Sequence, residues 1–188
     1  AIKFYQLAQQ SNIKPIIGVE LNIESILDIE SKSQYHLTAL AKNNLGYTNL
    51  LKLITRSNLD NDGLVTREIF REYRQGLIVL SGCRNSEVDR LIKENSSKAR
   101  EVVLQYRNIL GQNNYYLELQ RFGLPGEDER IDRKVELADK LNIPVVATGN
   151  THYLDRDEGK SHLALTGIHQ LSGKSSWAEK TTDEYYLK

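Results

Sequence analysis

Short apolar runs, separated by helical stretches and each ending on a polar side chain, constrain this chain more than any other feature. They are Ile16-Ile17-Gly18-Val19-Glu20, Tyr35-His36-Leu37-Thr38, Leu77-Ile78-Val79-Leu80-Ser81-Gly82-Cys83 and Val145-Val146-Ala147-Thr148-Gly149-Asn150-Thr151-His152. Runs of this length, rich in Val and Ile, read as buried strands. Buried strands alternating with helices argue for an α/β architecture with a largely parallel core. In such folds, site residues gather at the carboxyl ends of strands. Glu20, Cys83, Asn150 and His152 fall at such ends.

The rest of the pattern is consistent with this. Helical spacing covers residues 1–10, closed by Asn12 to Pro15, and a strand is predicted over 16–23. A second strand follows at 35–41. Too few residues separate these two for a parallel crossover, so they form an antiparallel pair, which brings His36 beside the Glu20 strand. Helices are predicted over 45–57, from a Thr66 cap to about 74, over 87–110 with a break near Asn95, and from about 129 to 141. Strands are predicted at 76–80 and 115–120, with a strictly apolar buried one at 143–147. Asp155 and Glu158 have capping-box spacing before a helix reaching about His169. One stretch echoes another: Leu7-Ala8-Gln9-Gln10-Ser11-Asn12-Ile13 and Leu137-Ala138-Asp139-Lys140-Leu141-Asn142-Ile143 each close a helix ahead of a Pro-marked strand. Repeated αβ units are implied.

Composition removes several classes of function. Lys+Arg and Asp+Glu both number 25, so no basic excess marks a nucleic-acid surface in these residues. One cysteine excludes an intrachain disulfide and fits a reducing cytosolic setting. No apolar run reaches the length of a membrane span. With no methionine in 188 residues and an opening inside a helical pattern, the expectation is an internal piece of a longer chain.

Each candidate ligand has an ordinary alternative. A strand-end carboxylate such as Glu20 commonly forms a salt bridge, His36 can pack at a hairpin, and Cys83 can be a small buried hydrophobe. Together, however, carboxylate, imidazole and thiolate are the donors used by zinc and related divalent ions. His162 and His169, seven apart on one predicted helix, read as structural or solvent-facing. Tyr115 and Tyr116 read as core and strand-surface residues, since no basic stripe accompanies them. No serine has a convincing His/Asp partnership.

At residues 13–20, 36–50, 76–83, 116–120 and 143–154 the chain resembles a known family. The match, in order over nearly the whole length, is to the amino-terminal PHP (polymerase and histidinol phosphatase) domain of bacterial replicative DNA polymerase III alpha subunits. Residues 183–188 resemble the stretch leading toward the polymerase core. The resemblance implies a distorted TIM-like β/α barrel, incomplete because its amino-terminal strands are missing. It implies a PHP domain over 1–171, then a linker and the start of the polymerase core over 172–188. Up to three divalent ions, zinc or manganese with magnesium as a further choice, sit at the strand ends in this family. The motif positions fall on Glu20, His36, Cys83 and His152, with Asn150 a weak ligand where the family has Asp. The opening His-x-His motif and a further His upstream of Glu20 are absent, and a family His after the 116–120 strand is Phe122 here.

The parent implied is a cytoplasmic DNA-directed DNA polymerase of DNA replication, a nucleotidyltransferase acting with DNA and other replisome subunits. Its polymerase carboxylates lie outside these residues, so no catalytic residue is assigned. The resemblance implies hydrolysis of a phosphodiester or pyrophosphate at the PHP site. Two alternatives stay open: a silent module that stabilises the polymerase and docks a proofreading exonuclease, and a stand-alone PHP phosphoesterase.

Overall fold

The computed structural model describes residues 2–31, 33–94, 96–171 and 185–187. The strands are β1 (Gly18–Glu24), β2 (Gln34–Ala41), β3 (Leu64–Val65), β4 (Leu77–Leu80), β5 (Tyr115–Gln120) and β6 (Val145–Thr148). The helices are α1 (Ile2–Gln10), α2 (Asn44–Asp60), α3 (Arg67–Glu72), α4 (Glu87–Glu94), α5 (Ser96–Leu110), α6 (Glu127–Leu141) and α7 (Gly159–Leu171), with a short 3-10 turn, Arg156–Glu158, before the last.

The six strands form one sheet in the order β3-β1-β2-β4-β5-β6. β2 runs antiparallel to both β1 and β4, whereas β1/β3, β4/β5 and β5/β6 are parallel. The core is therefore mixed, not largely parallel, because the short connection after β1 allows only a hairpin. This is an α/β sheet of the kind expected for the PHP barrel, with β3 and β6 as its edges among the described residues.

Alternation along the strands divides the sheet into two chemically distinct faces. Leu21, Ile23, Leu37, Ala39, Leu77, Val79, Tyr115 and Leu117 lie in one buried cluster with Leu53 of α2, Phe70 of α3 and Val102, Val103 and Tyr106 of α5. Within it, Tyr106 stacks on Tyr115 at 5.2 Å between centroids and meets Phe70 edge-on at 6.0 Å. Burial of each such large side chain is worth about 1.5–3 kcal/mol, so this face supplies the stability. Glu20, Asn22, His36, Thr38, Glu118 and Gln120 belong to the other face.

The echoed stretches share one device. Asn12 and Asn142 both adopt left-handed backbone, at φ 58° and 53°. The following residue donates back in each case, Ile13 to Ala8 at 2.8 Å and Ile143 to Ala138 at 3.0 Å. Asn tolerates this conformation better than other non-glycine residues, and it satisfies the last helical carbonyls while turning the chain.

Two strand expectations need correction, and one strand is new. The strand predicted at 143–147 begins at Val145 and is not fully buried; Val145 is 45% exposed. Among the described residues β6 is an edge strand, paired with β5 alone. The first strand starts at Gly18 and runs to Glu24, so Glu20 sits inside it and not at its end. β3 was not anticipated; two residues carry no periodicity, and Leu64–Val65 pairs with Asn22 and Ile23 only through tertiary placement. The Thr66 cap is present, its side chain accepting from the Ile69 N–H. Glu158 reaches back to accept from the Leu154 and Asp155 N–H groups.

Candidate metal centre

The hairpin register explains the first contact. Glu20 lies opposite Thr38 and Asn22 opposite His36, so Glu20 and His36 are diagonal neighbours on the polar face, a spacing that long side chains bridge. The Glu20 carboxylate lies 3.1 Å from His36 Nδ1.

Cys83 arrives from the turn after β4. Ser81 N–H continues the ladder onto Tyr116, and Gly82 N–H donates to the Glu118 carboxylate at 3.1 Å. Gly82 holds φ +90°, which presses this turn against the His36 backbone. The His36 N–H in turn donates to Asn85, and Ser86 N–H to Cys83. Cys83, 3% exposed, thereby places Sγ 3.3 Å from His36 Nδ1.

One donor atom from each of Glu20, His36 and Cys83 falls within 4.8 Å of the others. Ligands around a tetrahedral zinc are separated by about 3.5 Å, given metal–ligand bonds of about 2.0–2.3 Å, so the observed spacing fits the donor set. A carboxylate only accepts, so the His36 Nδ1 proton faces both Glu20 and Cys83.

Electrostatics reinforce the grouping. The hydrogen bond from His36 holds the Glu20 carboxyl below its ordinary value against the opposing effect of burial, helped by charge on His36 and His152. Burial disfavours the His36 imidazolium, but its hydrogen bonds to Cys83 and Glu20 and their charges outweigh this and push it up to about 10.

His152 and Asn150 follow β6. The His152 Nδ1 lies 2.8 Å from the Asn150 carbonyl oxygen. A carbonyl only accepts, so Nδ1 carries a proton, and this bond fixes how the ring is turned. His152 is near enough to influence Glu20 but lies outside the close group of Glu20, His36 and Cys83. Asn150 lines a small cavity, about 20 Å³, with Gln120, Phe122 and Tyr185.

Comparison with known proteins gives a family model, PHP domain, that matches residues 1–122. The chain belongs to the PHP domain family. It is 34% identical over its whole length to a DNA polymerase III subunit alpha of Borreliella burgdorferi, of which it covers 17%. It is 32% identical over its whole length to the subunit of Thermus aquaticus, covering 16% of it. Against the Escherichia coli K12 subunit it is 36% identical over 89% of the chain and 15% of the relative. The chain thus spans a small part of the relatives it matches.

Within this PHP domain, sequence reasoning assigned no role to Glu118. It is 3% exposed. Its carboxylate accepts from Gly82 N–H, from Thr38 Oγ1 at 3.3 Å, from Thr148 Oγ1 at 2.5 Å and from Gln120 Nε2 at 3.0 Å. One carboxylate thus ties β2, β5, β6 and the Cys83 turn together. An acidic residue inside an apolar strand was the available signal. The His162 ring lies 5.1 Å from that of His152 and 5.6 Å from Tyr153. The side chain of His169 lies outside the described residues, as do residues 172–184. Among the described residues, no helix is long and apolar enough to cross a membrane.

Proposed function

We propose that this PHP domain holds a divalent cation through Glu20, His36 and Cys83, with His152 as the next ligand and Asn150 as a weak participant. The convergence of three donor types within 4.8 Å carries the reading. Thiolate and imidazole favour zinc, with manganese as the alternative through the carboxylate; magnesium, which prefers all-oxygen sites, fits this donor set least. When bound, the cation would lower the pKa of a water and stabilise charge on a phosphoryl oxygen. The reaction supported is hydrolysis of a phosphodiester or pyrophosphate bond.

The residues divide the work. To hold the cation, Cys83 would ligate as its thiolate and His36 would give up the Nδ1 proton that lies toward Glu20 and Cys83, so binding would be in competition with protons. Glu118 fixes the Gly82 amide and therefore the position of Cys83. His152, tied at Nδ1 to the Asn150 carbonyl, would come in as the next ligand.

We take the PHP domain to cover 1–171, a reading supported by the pairing of β6 with β5 and the helix α7 after it, with 172–188 as linker and start of a polymerase core. We place the domain in a cytoplasmic DNA-directed DNA polymerase that works on DNA with replisome subunits. By itself the chain incorporates no nucleotide. The second reading, a silent module that docks a proofreading exonuclease, draws on two observations: Glu20, His36 and Cys83 already contact one another through His36 Nδ1, and Asn150 is neutral. Metal analysis of the full-length protein separates the two. Stoichiometric zinc or manganese, lost in Cys83→Ser and weakened in His152→Ala, supports the metal site; no bound metal in the wild type sinks it.

A further inference from the structure

Tyr185 lies more than thirty positions beyond the turn that carries His152, yet packs directly on it. Its carbonyl accepts from the His152 N–H at 2.8 Å and the Tyr153 N–H at 3.4 Å. Tyr153 and Tyr186 form a parallel bridge, and Leu187 N–H donates to Tyr153 at 3.1 Å and to Leu154 at 3.3 Å. Residues 185–187 thus act as a short strand laid along the turn after β6.

The Tyr185 ring adds what the backbone cannot. It is 2% exposed and meets Phe122, in the turn after β5, edge-on at 5.1 Å. Its other side faces the His152 imidazole at 5.0 Å with a 32° tilt. The His162 ring lies 5.1 Å from the same imidazole. An exposed histidine has several rotamers open to it. Here the imidazole is flanked by two rings and tied at Nδ1 to the Asn150 carbonyl, which selects one.

We propose that Tyr185 is a positioning residue for His152: its ring sets the imidazole orientation, so the segment at 185–187 controls the competence of the metal site. The functional part rests on the metal reading above; the packing part does not. Partners that orient a metal-bound histidine typically change metal affinity by about 10–100-fold when removed.

The test uses full-length protein carrying Tyr185→Leu or Tyr185→Phe. Zinc affinity is measured against a competing chelator, and hydrogen exchange is followed at the His152 and Tyr153 amides. Tyr185→Leu should weaken zinc binding about tenfold or more, whereas Tyr185→Phe, which keeps the ring, should stay within about twofold of wild type. In metal-free protein, exchange at the two amides should rise about tenfold in Tyr185→Leu and return to wild type in Tyr185→Phe. A merely structural role would lower the unfolding midpoint without moving the zinc dissociation constant. Cys83→Ser is the control. If it abolishes zinc binding while Tyr185→Leu changes neither affinity nor exchange, the Tyr185 proposal is overturned. If zinc binding is unaffected by Cys83→Ser, the metal reading fails and exchange alone decides: faster exchange upholds the packing role, unchanged exchange overturns it. Should Tyr185→Leu not fold, Phe122→Leu loosens the far wall of the same ring; a partial rise in exchange supports the proposal and none overturns it.

Discussion

Gly82 lies so close to His36 that a β-carbon at Gly82 would stand 2.5 Å from the His36 carbonyl oxygen. The backbone at Gly82 is also left-handed, at φ +90°. Close approach and handedness together let Cys83 reach the histidine. Gly82→Ala is expected to lose about 2–4 kcal/mol, from the left-handed penalty and the overpacking combined. Urea denaturation measures this, and metal binding should fall in the same variant. Cys83→Ser, which changes no backbone, should lose metal while keeping, in chelator, the midpoint of metal-free wild type.

Metal should stabilise the folded state by mass action. At a free zinc concentration about 100-fold above the dissociation constant, the gain is about 2.7 kcal/mol. Thermal unfolding with zinc and with a chelator should differ by that amount in wild type and show no difference in Cys83→Ser. A zinc-independent midpoint in wild type would contradict the site.

Glu118→Gln retains shape but replaces one acceptor oxygen with a donor amide. Donors approach both oxygens: Gly82 N–H and Thr38 on Oε2, Thr148 and Gln120 on Oε1. Whichever end becomes the amide then faces donors. The expected cost is about 1–3 kcal/mol for the unsatisfied buried groups, read from equilibrium unfolding.

Glu87 gives the fold a pH dependence. Burial raises its pKa above 4.5, against the hydrogen bonds from Ser25, Ile26 and Leu27 and the charge of Arg67. With a raised folded value, the unfolded chain ionises first, so it binds fewer protons than the native state. Stability therefore falls as pH rises from about 4.5 through the folded pKa. Glu87→Gln should remove that part of the slope, visible in urea midpoints measured across this window.

Much of the architecture was legible because it is local. Asn12 and Asn142 were marked by an echoed sequence, and both proved to be left-handed helix ends. The β1/β2 hairpin followed from chain length between strands. What escaped depended on neighbours distant in sequence. Leu64 and Val65 form a strand only because β1 offers an edge. Val145 is exposed because nothing beyond β6 covers it among the described residues. Glu118 drew no attention because its donors come from other strands and from the Cys83 turn. Of the candidate ligands, Glu20, His36 and Cys83 are brought together, while His152 stands one turn away beside His162, whose ring sequence spacing could not place.

Because neighbouring positions on β1 and β2 answer to different pressures, the hairpin can be engineered almost as two independent proteins. Diversifying Glu20, Asn22, His36 and Thr38 would explore new coordination chemistry on an unchanged scaffold, whereas Leu21, Ile23, Leu37 and Ala39 are the positions a thermostability campaign would leave alone or repack as a set.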